Sequence, residues 1–337
     1  MIEVLSPGPY ATVQDLGRHG YAHLGVPSSG AADAESLRLA NRLVGNPEGA
    51  AGIELTFGLA VLRFRAGAWI ALTGAPCPVN VHPAAAQCPS AREARHPAER
   101  EGGADEVLGA AVAAGQAAGG RAARAGGLGA GGRPVSVGGA GMGVPFWVAE
   151  GAELRLGTPA WGLRTYLAVR GGVAVEPVLG SRSTDSLSGL GPEPLRTGAL
   201  LPVGDVRALP PIAVDLAPPR DARPAVLRVL PGPRDDWFVP GALADLCAGP
   251  YQVSQDSNRV GVRLSGRELA RARRGELPSE GMVTGAVQVP PSGQPIVFLA
   301  DHPPTGGYPV IGVLAAADLP IAAQLRPGDE IRFTTRR

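Results

Sequence analysis

The chain has 337 residues, with 31 basic and 30 acidic side chains, so its net charge is close to zero. This balance gives no reason to expect nucleic acid or a membrane surface as a partner. Every basic residue is arginine, which excludes a Schiff-base lysine, a P-loop lysine and a biotinylated lysine from this chain. A hydrophobic content of 45% supports a large core, and the length predicts two domains.

The cysteines and histidines do not form a metal or disulfide pattern. Cys77, Cys88 and Cys247 are odd in number and lack a CxxC pair, so we expect reduced thiols. His19 and His23 flank a glycine, but no further ligand recurs at metal-binding spacing, and we expect no metal site. The first ten residues do not resemble a signal peptide, and no apolar run is long enough to span a membrane. We therefore expect a cytoplasmic protein.

Strands and one helix are predicted in the first part of the chain. The pattern indicates a strand over residues 2–5, and further strands over 53–57, 60–64 and 69–73. Between them, apolar positions recur at helical spacing over residues 34–44. Asp33 or Ser29 is the expected N-cap, and Gly45-Asn46-Pro47 is the stop signal. Glu54 has apolar neighbours in its strand, which predicts a structural ion pair first and a site residue as the alternative.

Two polar loops of the first part are candidate binding sites. Gln14, Asp15 and Arg18 lie close together in a glycine-flanked loop, where the arginine fork can hold a carboxylate or phosphate. The alternative is an Asp15–Arg18 ion pair that only orders the loop. The loop at residues 180–184 is rich in donors and can bind an anion, or it is a turn stabilised by hydroxyl groups.

Composition divides the chain into two lobes, an insertion and a linker. Residues 1–82 and 142–205 predict a first β-rich lobe, and residues 225–337 predict a second. Residues 83–141 are dominated by Ala, Gly, Arg and Pro, and we interpret them as a disordered, low-complexity insertion. Residues 206–224 are proline-rich, which is typical of a linker.

Polar residues gather at strand ends in the second lobe. Strands are predicted over residues 286–289 and 295–300, and they are followed by Asp301 and His302. Rigid strands that present a carboxylate and an imidazole from adjoining loops commonly build a site, although the same residues also cap turns. Arg259 precedes another strand, and it can reach a carboxylate substrate or pair with Asp256 or Glu268.

Motifs spread over the chain resemble one family. SEGMVTGAVQVPPSGQP and DHPPTGGYPVIG in the second lobe, and VLSPGPYATVQDLGRHGYAHLGVPSSGAAD near the start, are similar to motifs of the 5-oxoprolinase C-subunit family. That family is carboxyltransferase-like and is related to the carboxyltransferase domain of urea carboxylase. The resemblance implies a mainly β protein with a few helices and two cyclophilin-like β-barrel lobes.

The resemblance also implies a function. The chain is expected to be one component of an ATP-dependent 5-oxoprolinase, inactive alone, that opens 5-oxoproline to glutamate together with subunits A and B, with ATP bound by the partner subunits. One alternative is the carboxyltransferase component of a urea carboxylase-like enzyme acting on an amide, with biotin on a separate carrier. A second alternative is a non-enzymatic regulator that binds a kinase-inhibitor-like partner.

Opening a lactam requires a polarised carbonyl and an acid–base group. The candidate catalytic residues are Asp301, His302 and Glu280. The candidate substrate-binding residues are Gln14, Arg18, Asp256, Arg259, Ser279, Gln288, Thr305 and Tyr308. We expect Asp301 and His302 to face Arg18 across a cleft between the two lobes.

Overall fold

The computed structural model describes residues 1–84, 135–137, 141–218, 225–273, 275 and 277–336. Within these residues the protein is mainly β, with twenty strands and three α-helices, as the sequence predicts. Most of the predicted insertion at 83–141 and the end of the predicted linker, residues 219–224, lie outside the described residues.

The first lobe is built from two antiparallel sheets around one core. In spatial order, the six-stranded sheet consists of β11 (Leu200–Leu201), β1 (Ile2–Ser6), β4 (Val61–Phe64), β9 (Glu153–Leu156), β6 (Val79–His82) and β7 (Val135–Val137). The five-stranded sheet consists of β2 (Tyr10–Gln14), β3 (Gly52–Thr56), β10 (Arg164–Val169), β5 (Ala68–Gly74) and β8 (Pro145–Val148). Alternate residues point inward, so Leu62 of one sheet and Ile53 of the other share a fully buried cluster.

The second lobe is a closed seven-stranded barrel. Its strands in spatial order are β12 (Val226–Pro231), β19 (Val310–Leu314), β16 (Ala286–Gln288), β17 (Ile296–Phe298), β14 (Gly261–Ser265), β13 (Pro250–Val253) and β20 (Glu330–Thr334). Closure leaves no free strand edge in this barrel, and the interior is filled by apolar residues such as Leu227, Val287 and Val297. A two-stranded ribbon, β15 (Glu280–Gly281) with β18 (Thr305–Gly306), stands beside the barrel. The expected β-barrel fold class is confirmed.

The main helix, α1 (Ala34–Leu43), covers the outer face of the five-stranded sheet. Its buried residues Ala40 and Leu43 cluster with Ala71 of β5 and Ala168 of β10. Asp33 is the N-cap, because its carboxylate accepts a hydrogen bond of 3.0 Å from the backbone N–H of Ser36. The shorter helices α2 (Ala242–Ala248) and α3 (Leu319–Ala323) belong to the second half of the chain.

Gln14 lies in a strand, although the sequence predicts a loop there. It is the last residue of β2, where Tyr10, Thr12 and Gln14 alternate with the core residues Ala11 and Val13. The polar residues of this strand face away from the core of the first lobe, which explains why the segment lacks an apolar pattern.

Part of the proline-rich segment packs against the first lobe. Ala217 is buried, and its N–H donates to the carbonyl of Gly143 at 2.7 Å. No helix in the described part of the chain has the length and apolar character needed to cross a membrane.

Candidate functional site

A row of polar side chains crosses the outer face of the five-stranded sheet. The strand register places Thr12 beside Glu54, Glu54 beside Tyr166, and Tyr166 beside Thr73. All four are buried, although they point away from the core of the first lobe. The Tyr166 hydroxyl donates to Glu54 Oε2 at 2.8 Å. The polar side chains on this face are therefore buried within the protein and are not exposed to solvent.

Arg259 of the second lobe joins this surface to Asp301. Its Nε and Nη2 donate to the two oxygens of Asp301, both at 3.0 Å, in a bidentate pair. Its Nη1 donates to Glu54 Oε1, and Nη2 also donates to the Gly30 carbonyl at 2.5 Å. The three charged side chains are at most 3% exposed. We call Glu54, Arg259 and Asp301 the interlobe ion network, because it links the two lobes through buried charges.

The interlobe ion network shifts the titration of its members. Burial raises the pKa of the Glu54 carboxyl. The positive charges of Arg259 and then of Arg164 lower it by more than burial raises it, so the net pKa lies below its ordinary value. For Asp301, burial also raises the pKa, and Arg259 with the Ser186 hydrogen bonds outweighs it, so the net pKa is lowered. Burial lowers the pKa of Arg259, yet the two carboxylates raise it overall. All three groups therefore stay charged near neutral pH.

Asp301 has all its acceptor positions occupied. Besides Arg259, the Ser29 hydroxyl lies 2.8 Å from Oδ1, while the backbone N–H and hydroxyl of Ser186 donate to Oδ2 at 3.0 and 2.6 Å. Ser29 and Ser186 both belong to the first lobe. A carboxylate with a lowered pKa and this many donors is a poor proton acceptor. The geometry therefore favours an orienting role for Asp301 over a role as the general base.

A cleft of about 700 Å³ lies next to the interlobe ion network and is lined by both lobes. Its lining residues include His19, Glu35 and Arg38 from the first lobe, with Met282, Thr284 and His302 from the second. His302 is 6% exposed, and its Nδ1 lies 2.8 Å from the Pro303 carbonyl. Because a carbonyl only accepts, Nδ1 carries the proton in this contact, and in the neutral imidazole Nε2 then holds the lone pair. His302 is thus the base candidate that lines the cleft.

The donor-rich loop at residues 180–184 does bind an anion, and that anion is the Asp15 carboxylate. Asp15 accepts hydrogen bonds of 2.6 Å from the hydroxyls of Ser181 and Ser183 and from the backbone N–H of Arg182. It also accepts a hydrogen bond of 2.8 Å from the N–H of Gly17. The loop donors are consumed inside the protein, so an external phosphate would have to displace a buried carboxylate.

Arg18 does not form the alternative ion pair with Asp15. Its buried guanidinium donates to the Ser183 carbonyl and lies 3.8 Å from Asp185. Gln14 reaches the same segment, since its Nε2 donates to the Thr184 carbonyl at 3.0 Å. Residues 183–186 therefore connect Gln14 and Arg18 with Asp301, while Arg18 and Asp301 contact different residues of that segment.

The other candidates lie around the two-stranded ribbon or on exposed turns. Glu280 forms an ion pair with the partly exposed Arg234. Gln288 is buried and donates from Nε2 to the Tyr308 carbonyl at 3.0 Å. Tyr308 itself is 45% exposed, and the Arg271 guanidinium lies 5.8 Å from its ring centroid.

Asp256, Ser279 and Thr305 are exposed. No described hydrogen bond or ion pair connects these three side chains, or those around the ribbon, to the interlobe ion network. The structure therefore separates the sequence candidates into a buried interlobe group and an outer group.

The partners of several site residues differ from those that the sequence predicts. Arg259 pairs with Glu54 and Asp301, so the alternative in which it pairs with Asp256 or Glu268 is wrong. The ion pair predicted for Glu54 is confirmed, and Arg164 at 3.4 Å adds to it.

Other site residues carry little or no signal in the sequence. Nothing in the local pattern identifies Ser29 and Ser186 as partners of Asp301. Arg164 and Tyr166 lie on the face of β10 opposite the core residues Leu167 and Val169, and this alternation is the available signal for the polar face. In the described ranges, no group of three or more His, Cys, Asp and Glu side chains is arranged to hold a metal ion.

Sequence and structure comparisons define the class of protein. The profile of the family described as carboxyltransferase domain, subdomain A and B, matches residues 24–101 and 126–335. The chain therefore belongs to this carboxyltransferase-domain family, which agrees with the resemblance of its motifs.

Relatives with known names narrow the class. The chain is 33% identical to the C subunit of 5-oxoprolinase from Escherichia coli (strain K12), over 99% of this chain and 90% of that protein. It is 31% identical to urea amidolyase of Lachancea kluyveri, over 98% of this chain but 17% of that protein. The crystal structure of the K. lactis urea amidolyase superposes with a TM-score of 0.75 at 26% identity, covering 98% of this chain and 18% of that one. The chain is thus similar to one free-standing subunit and to one region of much longer enzymes.

Proposed function

We propose that this chain is a subunit of an ATP-dependent 5-oxoprolinase, which opens 5-oxoproline to glutamate in the cytoplasm together with subunits A and B. The observation that carries the proposal is the 33% identity with the C subunit of the Escherichia coli 5-oxoprolinase, which extends over 90% of that relative. The cleft between the lobes, with a buried imidazole in its wall, is a suitable place for a small cyclic amide.

In this proposal His302 moves the proton. Ring opening adds water to the lactam carbonyl carbon, breaks the C–N bond and delivers a proton to the leaving nitrogen. With Nδ1–H donated to the Pro303 carbonyl, Nε2 can take the proton from water and return it to that nitrogen. Asp301, fixed by Arg259, holds the neighbouring backbone, so the imidazole is presented by a rigid support.

ATP supplies the driving force for opening the lactam when it is bound to the complex. The residues of this chain do not fit a nucleotide phosphate site at the donor-rich loop, because Asp15 occupies those donors. The chain also lacks lysine altogether. These observations support nucleotide binding by the partner subunits and an isolated chain that is inactive.

The carboxyltransferase alternative is favoured by one observation, the 31% identity with urea amidolyase over 98% of this chain. It requires biotin on a separate lysine-bearing carrier, because this chain has no lysine to biotinylate.

The test is reconstitution of the chain with subunits A and B, followed by measurement of glutamate released from 5-oxoproline with and without ATP. We expect ATP-dependent release by the complex and none by the chain alone. Release without the partners contradicts the proposed subunit role. A complex that releases no glutamate, but carboxylates an amide with bicarbonate and a biotinylated carrier, supports the alternative. Inactivity in both assays favours the second alternative, a non-enzymatic regulator that binds a kinase-inhibitor-like partner.

A further inference from the structure

The cleft beside His302 contains one permanently cationic side chain among its described lining residues, Arg38 of α1. The other ionisable groups there are Glu35 and the imidazoles of His19 and His302. We propose that Arg38 binds the carboxylate of the substrate and so makes the cleft specific for lactams that carry an acid group. This inference rests on the proposed function and adds to it the residue that selects 5-oxoproline over uncharged amides.

Arg38 is available for such a contact. Its Nε lies 3.8 Å from Glu48 Oε2, and its side chain is 41% exposed. Glu48 also has a shorter partner, because Arg42 Nη1 donates to Glu48 Oε1 at 2.9 Å. A loose, half-exposed ion pair contributes little to stability, so turning Arg38 toward a ligand costs little. Glu48 would remain paired with Arg42.

The position of Arg38 suits recognition rather than general attraction. The helix α1 is capped by Asp33 and packed on β5 and β10, so the arginine projects from a rigid element. Glu35 lines the same cleft and offsets the positive charge. Selectivity for a carboxylate must then come from the directed, bidentate hydrogen bonds of a guanidinium, which a lysine ammonium does not reproduce.

The cleft also meets the chemical demands of the substrate. 5-Oxoproline carries a carboxylate on the carbon next to the ring nitrogen, while its reacting carbonyl lies on the other side of that nitrogen. A site therefore needs a cation for one end and an acid–base group for the other. Arg38 and His302 come from different lobes and line the same cleft. The urea-like amides of the alternative chemistry have no carboxylate and would gain nothing from Arg38.

The experiment measures equilibrium binding to the reconstituted complex without ATP, by calorimetry. The two probes are 5-oxoproline and 2-pyrrolidinone, which is the same lactam without the carboxylate. Four proteins are compared: wild type, Arg38→Ala, Arg38→Lys, and the control Arg65→Ala, which removes an exposed arginine that pairs with Glu3 outside the cleft. We expect the wild type and Arg65→Ala to bind 5-oxoproline at least about tenfold more tightly than 2-pyrrolidinone. Arg38→Ala should lose that preference, and Arg38→Lys should recover part of it.

The outcomes separate this inference from the proposed function. If Arg38→Ala keeps the preference for the carboxylate, or if the wild type shows none, the role of Arg38 is refuted even when the complex releases glutamate. If the preference depends on Arg38 but no glutamate is released with ATP, the binding inference stands and the oxoprolinase proposal fails. Melting temperatures of all four proteins should agree. A variant that is partly unfolded would bind both probes more weakly by the same factor, so it would not lose the preference for 5-oxoproline.

Discussion

Replacement of Arg259 by methionine tests whether the interlobe ion network holds the two lobes together. Methionine keeps much of the side-chain length but removes the charge and all the donors. In the wild type these donors reach both oxygens of Asp301, Glu54 Oε1 and the Gly30 carbonyl. The variant therefore leaves two buried carboxylates without their shared cation, one in each lobe.

The magnitude follows from what remains around each carboxylate. Breaking a buried ion pair by removing one partner typically costs about 3–5 kcal/mol. Glu54 keeps Arg164 at 3.4 Å and the Tyr166 hydroxyl at 2.8 Å, and Asp301 keeps the hydrogen bonds of Ser186. We therefore expect the lower end of that range, about 3 kcal/mol, as a decrease in the free energy of unfolding.

The assay is urea unfolding at several pH values. In the wild type both carboxyl pKa values are lowered from 4.5 and 3.8, so the stability they contribute is complete above those values. That stability is lost only as the pH falls through the lower pKa values of the folded state. In Arg259→Met, burial is expected to raise the pKa of both groups above their ordinary values. The folded variant then binds more protons than the unfolded chain, and its stability should rise as the pH falls from 7 toward 5.

The matched control is Arg207→Met, which breaks an exposed ion pair with Asp205. It should unfold like the wild type at every pH. The predicted role of Arg259 is refuted if Arg259→Met unfolds like the control, or if its stability follows the wild-type pH dependence. Either result would mean that water reaches the network and that the charges are not held between the lobes.

Two further predictions use single substitutions. His302→Gln should lower the turnover of the reconstituted complex by about 10²-fold with an unchanged melting temperature. The control His23→Gln, at an exposed position, should leave turnover unaltered. Equal turnover in both variants would show that His302 does not take part in the reaction. Asp15→Asn should lower the free energy of unfolding by about 1–3 kcal/mol, because an amide cannot accept from all four donors of Gly17, Ser181, Arg182 and Ser183. The exposed Asp205→Asn is its control in urea unfolding, and a similar stability of both variants would mean that the loop orders itself without Asp15.

Local patterns predict the elements that bury one regular face. The helix predicted over residues 34–44 is α1, because its apolar spacing matches the face that covers the sheet. The strand predicted over residues 53–57 is β3, whose alternate residues enter the core. The end of β2 escapes such a prediction because Thr12 and Gln14 give it the pattern of a polar loop. Those residues are polar because they face the buried row beside Glu54.

Partners distant in sequence cannot be predicted in this way. Arg259 and Glu54 are 205 residues apart, and Asp301 and Ser29 are 272 apart. From the sequence, the only candidate ion-pair partners for Arg259 are the nearby acidic residues Asp256 and Glu268, because sequence spacing reveals only opposite charges that are close along the chain. For the same reason the donors at residues 180–184 suggest an external anion. The carboxylate that fills them, Asp15, comes from a loop 166 residues before Ser181.

The interlobe ion network also fixes the position of the His302 imidazole. His302 follows Asp301 directly, so the bidentate pair with Arg259 and the bonds from Ser29 and Ser186 fix the backbone that carries the imidazole. The imidazole also packs against Phe298, with the ring centroids 6.0 Å apart, so it is held by a neighbouring ring as well as by its own backbone. The same bonds cross from one lobe to the other. The charges that join the lobes therefore also position the base candidate, and a change that loosens them should reduce stability and turnover together.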